Sequence, residues 1–266
     1  MKRFTALLLS ITMCFLCACA HSDSTASASG KAQNTPPPLV AHAGGAIYGY
    51  RLSNSLEAVN NAYANGFRHI ELDFECTTDG EYVLIHDWDS MAKRMLFDAR
   101  QYTQQEFLDT ESFMNLTLMD LNMLLAWLDT HKDCYIITDA KCGNSPFLQD
   151  LFNRAGDLAA QFIPQAYSYD EYILAKEIGF EAVILTLYRM PAPDHTELAE
   201  FARTQKPWAI TVPSPYMDEA LLSTLSQNGI YTYTHTVNDL SYFEQWRSCG
   251  LHGIYTDYFY PAKWPY

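Results

Sequence analysis

The chain is short of positive charge. Its 266 residues hold 17 Lys and Arg against 31 Asp and Glu. Without Lys2 and Arg3, which open an apolar leader, 15 basic residues face 31 acidic ones, a net charge of −16. Such a surface repels nucleic acid and anionic lipid at long range and attracts cations, so no nucleic-acid partner is expected. A dinucleotide-type glycine loop is also missing, which argues against a doubly wound, cofactor-binding sheet. Cysteines are few and none has zinc-finger spacing. Cys14, Cys17 and Cys19 fall in the leader, leaving Cys76, Cys134, Cys142 and Cys249. In an exported protein those four allow disulfides whose connectivity the sequence does not specify. Cys134 and Cys142 flank one predicted strand, which holds them too far apart to pair while it stays extended.

The uncharged run from Phe4 to Ala18 has the shape of a secretory signal and is short for a membrane span. Leu16-Cys17-Ala18-Cys19 resembles a bacterial lipobox. The expectation is a lipoprotein anchored through lipidated Cys19; cleavage after the small-x-small triplet Ala18-Cys19-Ala20 would instead release a periplasmic or secreted protein. Residues 1–19 are therefore read as a signal peptide. Residues 20–38, rich in Ser, Ala, Thr and Pro, bury too little to fold and form a tether. Residues 39–266 remain as one domain.

The most informative stretch of that domain runs from His69 to Asp87. At the strand period of two, Glu71 and Asp73 face one side while Ile70, Leu72 and Phe74 face the other. Two carboxylates side by side on a buried strand need a cation or a shared proton. A hard divalent metal is the simplest partner. The chain then turns at Asp79-Gly80 and returns through Tyr82–Ile85 to His86-Asp87, bringing an imidazole back towards the carboxylates.

Around this hairpin, strands and helices alternate. Strands are predicted near 39–42, 69–75, 135–141, 161–166, 182–187, 208–212, 230–236 and 253–256. Helices between them have recognisable ends, at Asn54 with Glu57, Thr117 with Asp120, Ser145-Pro146, Ser168 with Glu171, Asp194 with Glu197, Ser214-Pro215 and Asn238. Residues 88–115 read as an irregular insertion with two short helices. Eight β-α units favour a (β/α)8 TIM barrel with an accessory hairpin strand and this insertion after it. Barrel enzymes place their sites at the C-terminal ends of the strands, and His42, Glu71, Asp73, Asp139, Lys141, His235 and Asp257 all fall there.

His42-Ala43-Gly44, Asn54-Ser55, Glu71-Leu72-Asp73, Thr78-Asp79-Gly80, His86-Asp87, Asp139-Ala140-Lys141, Thr236-Val237-Asn238 and Thr256-Asp257 resemble, in order, the motifs of the glycerophosphodiester phosphodiesterases. That family shares a barrel with phosphatidylinositol-specific phospholipases C. The resemblance implies His42 and His86 as the acid/base pair, Glu71, Asp73 and Asp139 as ligands of one Ca²⁺ or Mg²⁺, and Lys141 on the phosphate. It further implies attack by a substrate hydroxyl next to the phosphate. The residue types suit that chemistry: a hard cation and a lysine neutralise a phosphodiester, and histidines move its protons.

Several positions depart from the family. Ala43 stands for an Arg and Ser53 for a Glu, with Arg51 available to replace the lost guanidinium. Asp139 replaces a Glu, one methylene shorter, which shifts the metal or admits a bridging water. His235 replaces a Trp that would face the alcohol group of the substrate. Asp257 reads as a loop-shaping residue in preference to a member of a hydrogen-bond network at the site, His69 as a hydrogen-bonded residue of the core or one that supports the site, and most of the 18 Tyr as packing in preference to lining a sugar or head-group cleft. The functions open at this point are a glycerophosphodiesterase, a phospholipase C- or D-like enzyme acting on intact lipid, and an inactive barrel binding a phosphorylated or carbohydrate ligand.

Overall fold

Each apolar strand is followed by an amphipathic helix that packs back on the sheet, and repetition of that unit winds a parallel sheet in one hand. A computed structural model describes residues 35–266. The predicted signal peptide, Cys19 and most of the predicted tether lie outside the described residues. The chain runs through β1 (Leu39–Ala41), α1 (Leu56–Ala64), β2 (His69–Cys76), β3 (Tyr82–Leu84), α2 (Ser90–Arg94), α3 (Gln104–Leu108), α4 (Leu121–Thr130), β4 (Tyr135–Ala140) and α5 (Asn144–Ala155). It continues through β5 (Phe162–Ala166), α6 (Tyr169–Ile178), β6 (Ile184–Thr186), α7 (His195–Gln205), β7 (Ala209–Thr211), α8 (Glu219–Gln227), β8 (Thr232–Thr234), α9 (Leu240–Arg247) and β9 (Gly253–Thr256).

All strands but β3 are parallel, and they close into a ring in which β1 pairs with both β9 and β2. This is the expected (β/α)8 barrel. The accessory β3 lies outside the ring, antiparallel to the end of β2 with Phe74 opposite Leu84 and Cys76 opposite Tyr82. Gly80, at φ +84°, makes the turn between them.

Ile70, Leu72 and Phe74 are fully buried in the layer between barrel and helices, as the alternation requires. Inside the barrel a second cluster includes Val40, Ile137, Ile163, Ile184 and Tyr255. The insertion forms α2 and α3 over a small core of its own, in which Trp88 and Phe107 pack with Val83 and Ile85 of the hairpin return. That core anchors the segment leading to His86.

Ser168 and Asp194 cap α6 and α7 as predicted. Elsewhere the cap moves along the chain. Ser55, not Asn54, caps α1; Asp120, not Thr117, caps α4; Asp218, not Ser214, caps α8; and Asp239, not Asn238, caps α9. Asn54 and Asn238 lose those positions because their side chains bind carboxylates at the barrel mouth.

His69 lies deep in the barrel, sandwiched between Tyr135 and Trp208 at ring distances of 5.0 and 5.4 Å. It is not the hydrogen-bonded residue expected: among the described residues neither ring nitrogen has a partner. Burial lowers its pKa from 6.5 to about 4. As pH falls between those two values the unfolded chain takes up a proton that the folded chain refuses, so stability is lost across that window, by about 3 kcal/mol in all. His69→Phe is expected to flatten the decline of the urea midpoint with acid over this range. An unchanged decline would contradict the neutral, buried imidazole.

Candidate active site

The period of β2 turns Glu71 and Asp73 into the barrel near its C-terminal end, and the parallel register sets Asp139 of β4 directly beside Asp73. One oxygen from each of Glu71, Asp73 and Asp139 lies within 4.8 Å of the others. All three are buried. The Lys141 amide donates to Phe74 O at 2.8 Å, extending the register so that its side chain follows that of Asp139. Its ammonium sits 2.8 Å from Asp73 Oδ1 and 2.7 Å from Asp139 Oδ2.

One ammonium does not balance three carboxylates. Burial and then the charge of Asp73 push Glu71 up to about 8. Asp139 goes the other way: burial opposes ionisation, but Lys141 and the hydroxyls of Tyr167 and Tyr188 overcome it and hold the carboxyl below its usual range. For Lys141, burial is outweighed by Asp73, Asp139 and Glu71, so it stays protonated. The cavity bounded by His42, Glu71, Asp139, Gln165, His235 and Tyr255 is about 20 Å³, room for one water-sized particle. Uncompensated negative charge, oxygen donors and this volume fit a hard divalent cation. A larger hollow of about 270 Å³ lies at the opposite end of the barrel, beside Phe67 and Trp264, but its lining holds no Asp or Glu side chain.

Two loops hold the carboxylates in place. Asn54 clasps Asp73, its Nδ2 donating to Oδ2 at 2.9 Å while its Oδ1 accepts the Asp73 amide at 3.0 Å. Ala43, in the left-handed region at φ 47°, aims its amide at Glu71 Oε2, 2.8 Å away. A left-handed alanine costs about 1–2 kcal/mol, and here the distortion delivers a donor to a buried carboxylate. Ser53 bonds only locally, to Ser55.

His42 is set by a different partner. Its Nδ1 lies 2.9 Å from Asp257 Oδ1 and its Nε2 3.2 Å from Thr236 Oγ1. Asp257 joins a hydrogen-bond network at the site, the less favoured of its two readings: Oδ2 accepts from Asn238 at 2.7 Å, and Arg51 stands 3.7 Å away. Burial would lower the His42 pKa, but the Asp257 hydrogen bond and the charges of Glu71 and Asp73 raise it to about 9. Arg51 thus reaches the site through Asp257, with its side chain half exposed. His235 lines the cavity, and burial, followed by the charge of His42, lowers its pKa to about 4.

His86 is partly exposed. It is absent from the cavity wall, and its Nδ1 lies 2.8 Å from Asp87 Oδ2. Burial of Asp87 is outweighed by Ser90 and His86, which lower its pKa to about 2. Burial raises the pKa of Glu75, the next inward position of β2 beyond Asp73, against the opposing Cys76 amide and the charges of Lys141 and His86.

Tyr167, Tyr188 and Arg189 escaped the sequence reading. Tyr167 and Tyr188 donate to Asp139 Oδ1 at 2.5 and 2.8 Å. Arg189 lies 3.7 Å over the Tyr167 ring and bonds Ala140 O at 3.0 Å. Two tyrosine hydroxyls therefore meet one oxygen of the short Asp139. Their place just beyond β5 and β6 was the available signal, obscured by assigning tyrosines to packing.

Residues 42–152 match the profile of the Glycerophosphoryl diester phosphodiesterase family. Among solved structures, a glycerophosphodiester phosphodiesterase of Thermotoga maritima is 19% identical with a TM-score of 0.65, the match covering 84% of this chain and 95% of that one. One of Parabacteroides distasonis is 18% identical, TM-score 0.64, covering 83% and 92%. An Oleispira antarctica phosphodiesterase, solved with the product sn-glycerol-3-phosphate, is 17% identical, TM-score 0.64, covering 84% and 93%. At these identities the solved structures speak for the fold. No curated protein matches the sequence.

Asp257→Asn removes the charge that holds the His42 proton. In cation-free protein the His42 midpoint, followed by NMR, is expected to fall from about 9 towards or below the ordinary imidazole value of 6.5. A midpoint that stays near 9 would rule out Asp257 as its principal cause.

Proposed function

We propose that this chain, which belongs through residues 42–152 to the glycerophosphoryl diester phosphodiesterase family and is a phosphoric diester hydrolase, cleaves glycerophosphodiesters to an alcohol and glycerol phosphate with the help of a bound divalent cation. The observation that carries the reading is the buried cluster of Glu71, Asp73 and Asp139 beside His42 and Lys141. When bound there, Ca²⁺ or Mg²⁺ supplies positive charge against the phosphodiester anion. Lys141 adds a second positive group, held in place by Asp73 and Asp139. His42, oriented through Nδ1 by Asp257, and His86, oriented by Asp87, take and give the protons of the attacking and leaving oxygens. Arg51 and His235 flank the substrate, and His235 in place of a larger indole shapes the space for the alcohol. The product held by the Oleispira relative supports a small phosphodiester as substrate. We place the enzyme in a bacterial envelope, exported by residues 1–19 and anchored through Cys19.

A second reading, action on intact lipid by a phospholipase C- or D-like route, draws on exposed apolar side chains near the mouth. Tyr48, on the loop that carries Arg51, is 83% exposed and Leu96 of the insertion 71%. Tyr50 and Phe113 join loop and insertion, their rings 5.4 Å apart.

The test is turnover of glycerophosphocholine, a chromogenic diester and phosphatidylcholine vesicles by the full chain, with Ca²⁺, Mg²⁺ or EDTA. Metal-dependent cleavage of the soluble diesters, falling about 100-fold or more in His42→Ala and Glu71→Gln, is the expected result. Cleavage of vesicles alone would favour the lipid reading. Turnover indifferent to EDTA and to Glu71→Gln would sink the metal-dependent mechanism.

A further inference from the structure

Cys76 and Cys142 are far apart in sequence and adjacent in the barrel. β2 and β4 pair in parallel with Asp73 opposite Asp139 and Phe74 opposite Ala140, and the Lys141 amide bonds Phe74 O at 2.8 Å. Carried two residues further, that register sets Cys76 directly opposite Cys142. Neighbouring strands are about 5 Å apart, within the Cα separation that a disulfide spans. The alternation that turns Phe74 and Ala140 outward turns both cysteines outward too, and both pack against the layer between barrel and helices. Each thiol lies close enough to influence the titration of the other, and Tyr82, opposite Cys76 on β3, feels both. Both are half-buried, and in the structure both are thiols. Burial pushes both thiols up, so their exchange with an external disulfide is slow at neutral pH and quickens as pH rises. Cys134 is fully buried on its own, and Cys249 bonds within its helix end, to Gln245 O.

We propose that Cys76 and Cys142 are a disulfide pair that staples the C-terminal ends of β2 and β4. The oxidant is a second disulfide, of a small molecule or an oxidoreductase. One cysteine thiolate attacks it and releases one thiol; the other cysteine then attacks the mixed disulfide. The Cys76 Sγ–Cys142 Sγ bond forms, the oxidant is reduced by two electrons to two thiols, and the two cysteine protons pass to them. Cys76 lies three residues beyond Asp73, and Cys142 directly follows Lys141. The staple therefore ties together the strand ends that carry the carboxylate cluster. It also closes β3, the insertion and α4 into one covalent loop, with His86 inside it.

The experiment compares the full chain equilibrated in an oxidised glutathione buffer with the same chain in reductant, each alkylated under denaturing conditions and mapped by mass spectrometry. In the oxidised sample the expected result is a linked Cys76–Cys142 peptide, about 2 Da lighter than the two thiol peptides together, with Cys134 and Cys249 alkylated. Oxidation should raise the thermal midpoint by roughly 5–10 °C, an increase lost in Cys142→Ala. Alkylation of both Cys76 and Cys142 throughout the oxidising series, or a linkage of either to Cys249, would overturn the pair. If the variant does not fold, the peptide map of the unaltered chain decides alone.

Discussion

Taking a carboxylate out of water costs several kcal/mol unless charge or hydrogen bonds replace the solvent, and this barrel does so three times within 4.8 Å. Nearly every polar group around the mouth answers that constraint. Lys141 bridges two of the carboxylates, Asn54 clasps one with a donor and an acceptor, and the Ala43 backbone is bent into the left-handed region to bond the third. The compensation stops short at Glu71, whose carboxyl, pushed up to about 8 by burial and then by Asp73, keeps its proton at neutral pH because its ionised form is under-compensated. A bound cation, as proposed above, would supply the missing positive charge.

A second acidic centre works by the opposite logic. Asp257 is buried yet fully engaged, with His42 and Asn238 on its two oxygens and Arg51 nearby. Its pKa is depressed: burial opposes, and the bonds to His42 and Asn238 together with the His42 charge win. The two centres face each other across His42, so the tautomer and charge of that imidazole depend on both. Ala43 and Ser53 stand where the motifs that the chain resembles have Arg and Glu, and Arg51 of the same loop meets the site through Asp257. Arg189 and the tyrosines beyond β5 and β6 have no counterpart in the motifs that made the family recognisable.

The barrel and much of the site were legible in the chain. The period-two alternation of β2 separates Glu71 and Asp73 from Ile70, Leu72 and Phe74, and the same rule puts Asp139 and Lys141 on one face of β4. Two of the local signals that misled lie at the barrel mouth. Asn54 and Asn238 have the chemistry of helix caps, and in a sequence a cap and a carboxylate clasp look the same. Thr117 was displaced as well, but by an ordinary structural contact with Glu57.

What the sequence determined by itself is periodic or local: eight strand–helix units, the inward face of each strand, the Asp79-Gly80 turn and the order of the motifs. What only the tertiary structure decided is which residues from different strands meet. Asp257 reaches His42 because β9 closes the ring onto β1; Tyr167 and Tyr188 reach Asp139 because β5 and β6 follow β4 around it; Cys76 faces Cys142 because of the β2–β4 register. Strand alternation states which way a side chain points and leaves its neighbour open. That neighbour is set by the stagger of parallel strands, which arises when helices far apart in sequence pack around one closed ring.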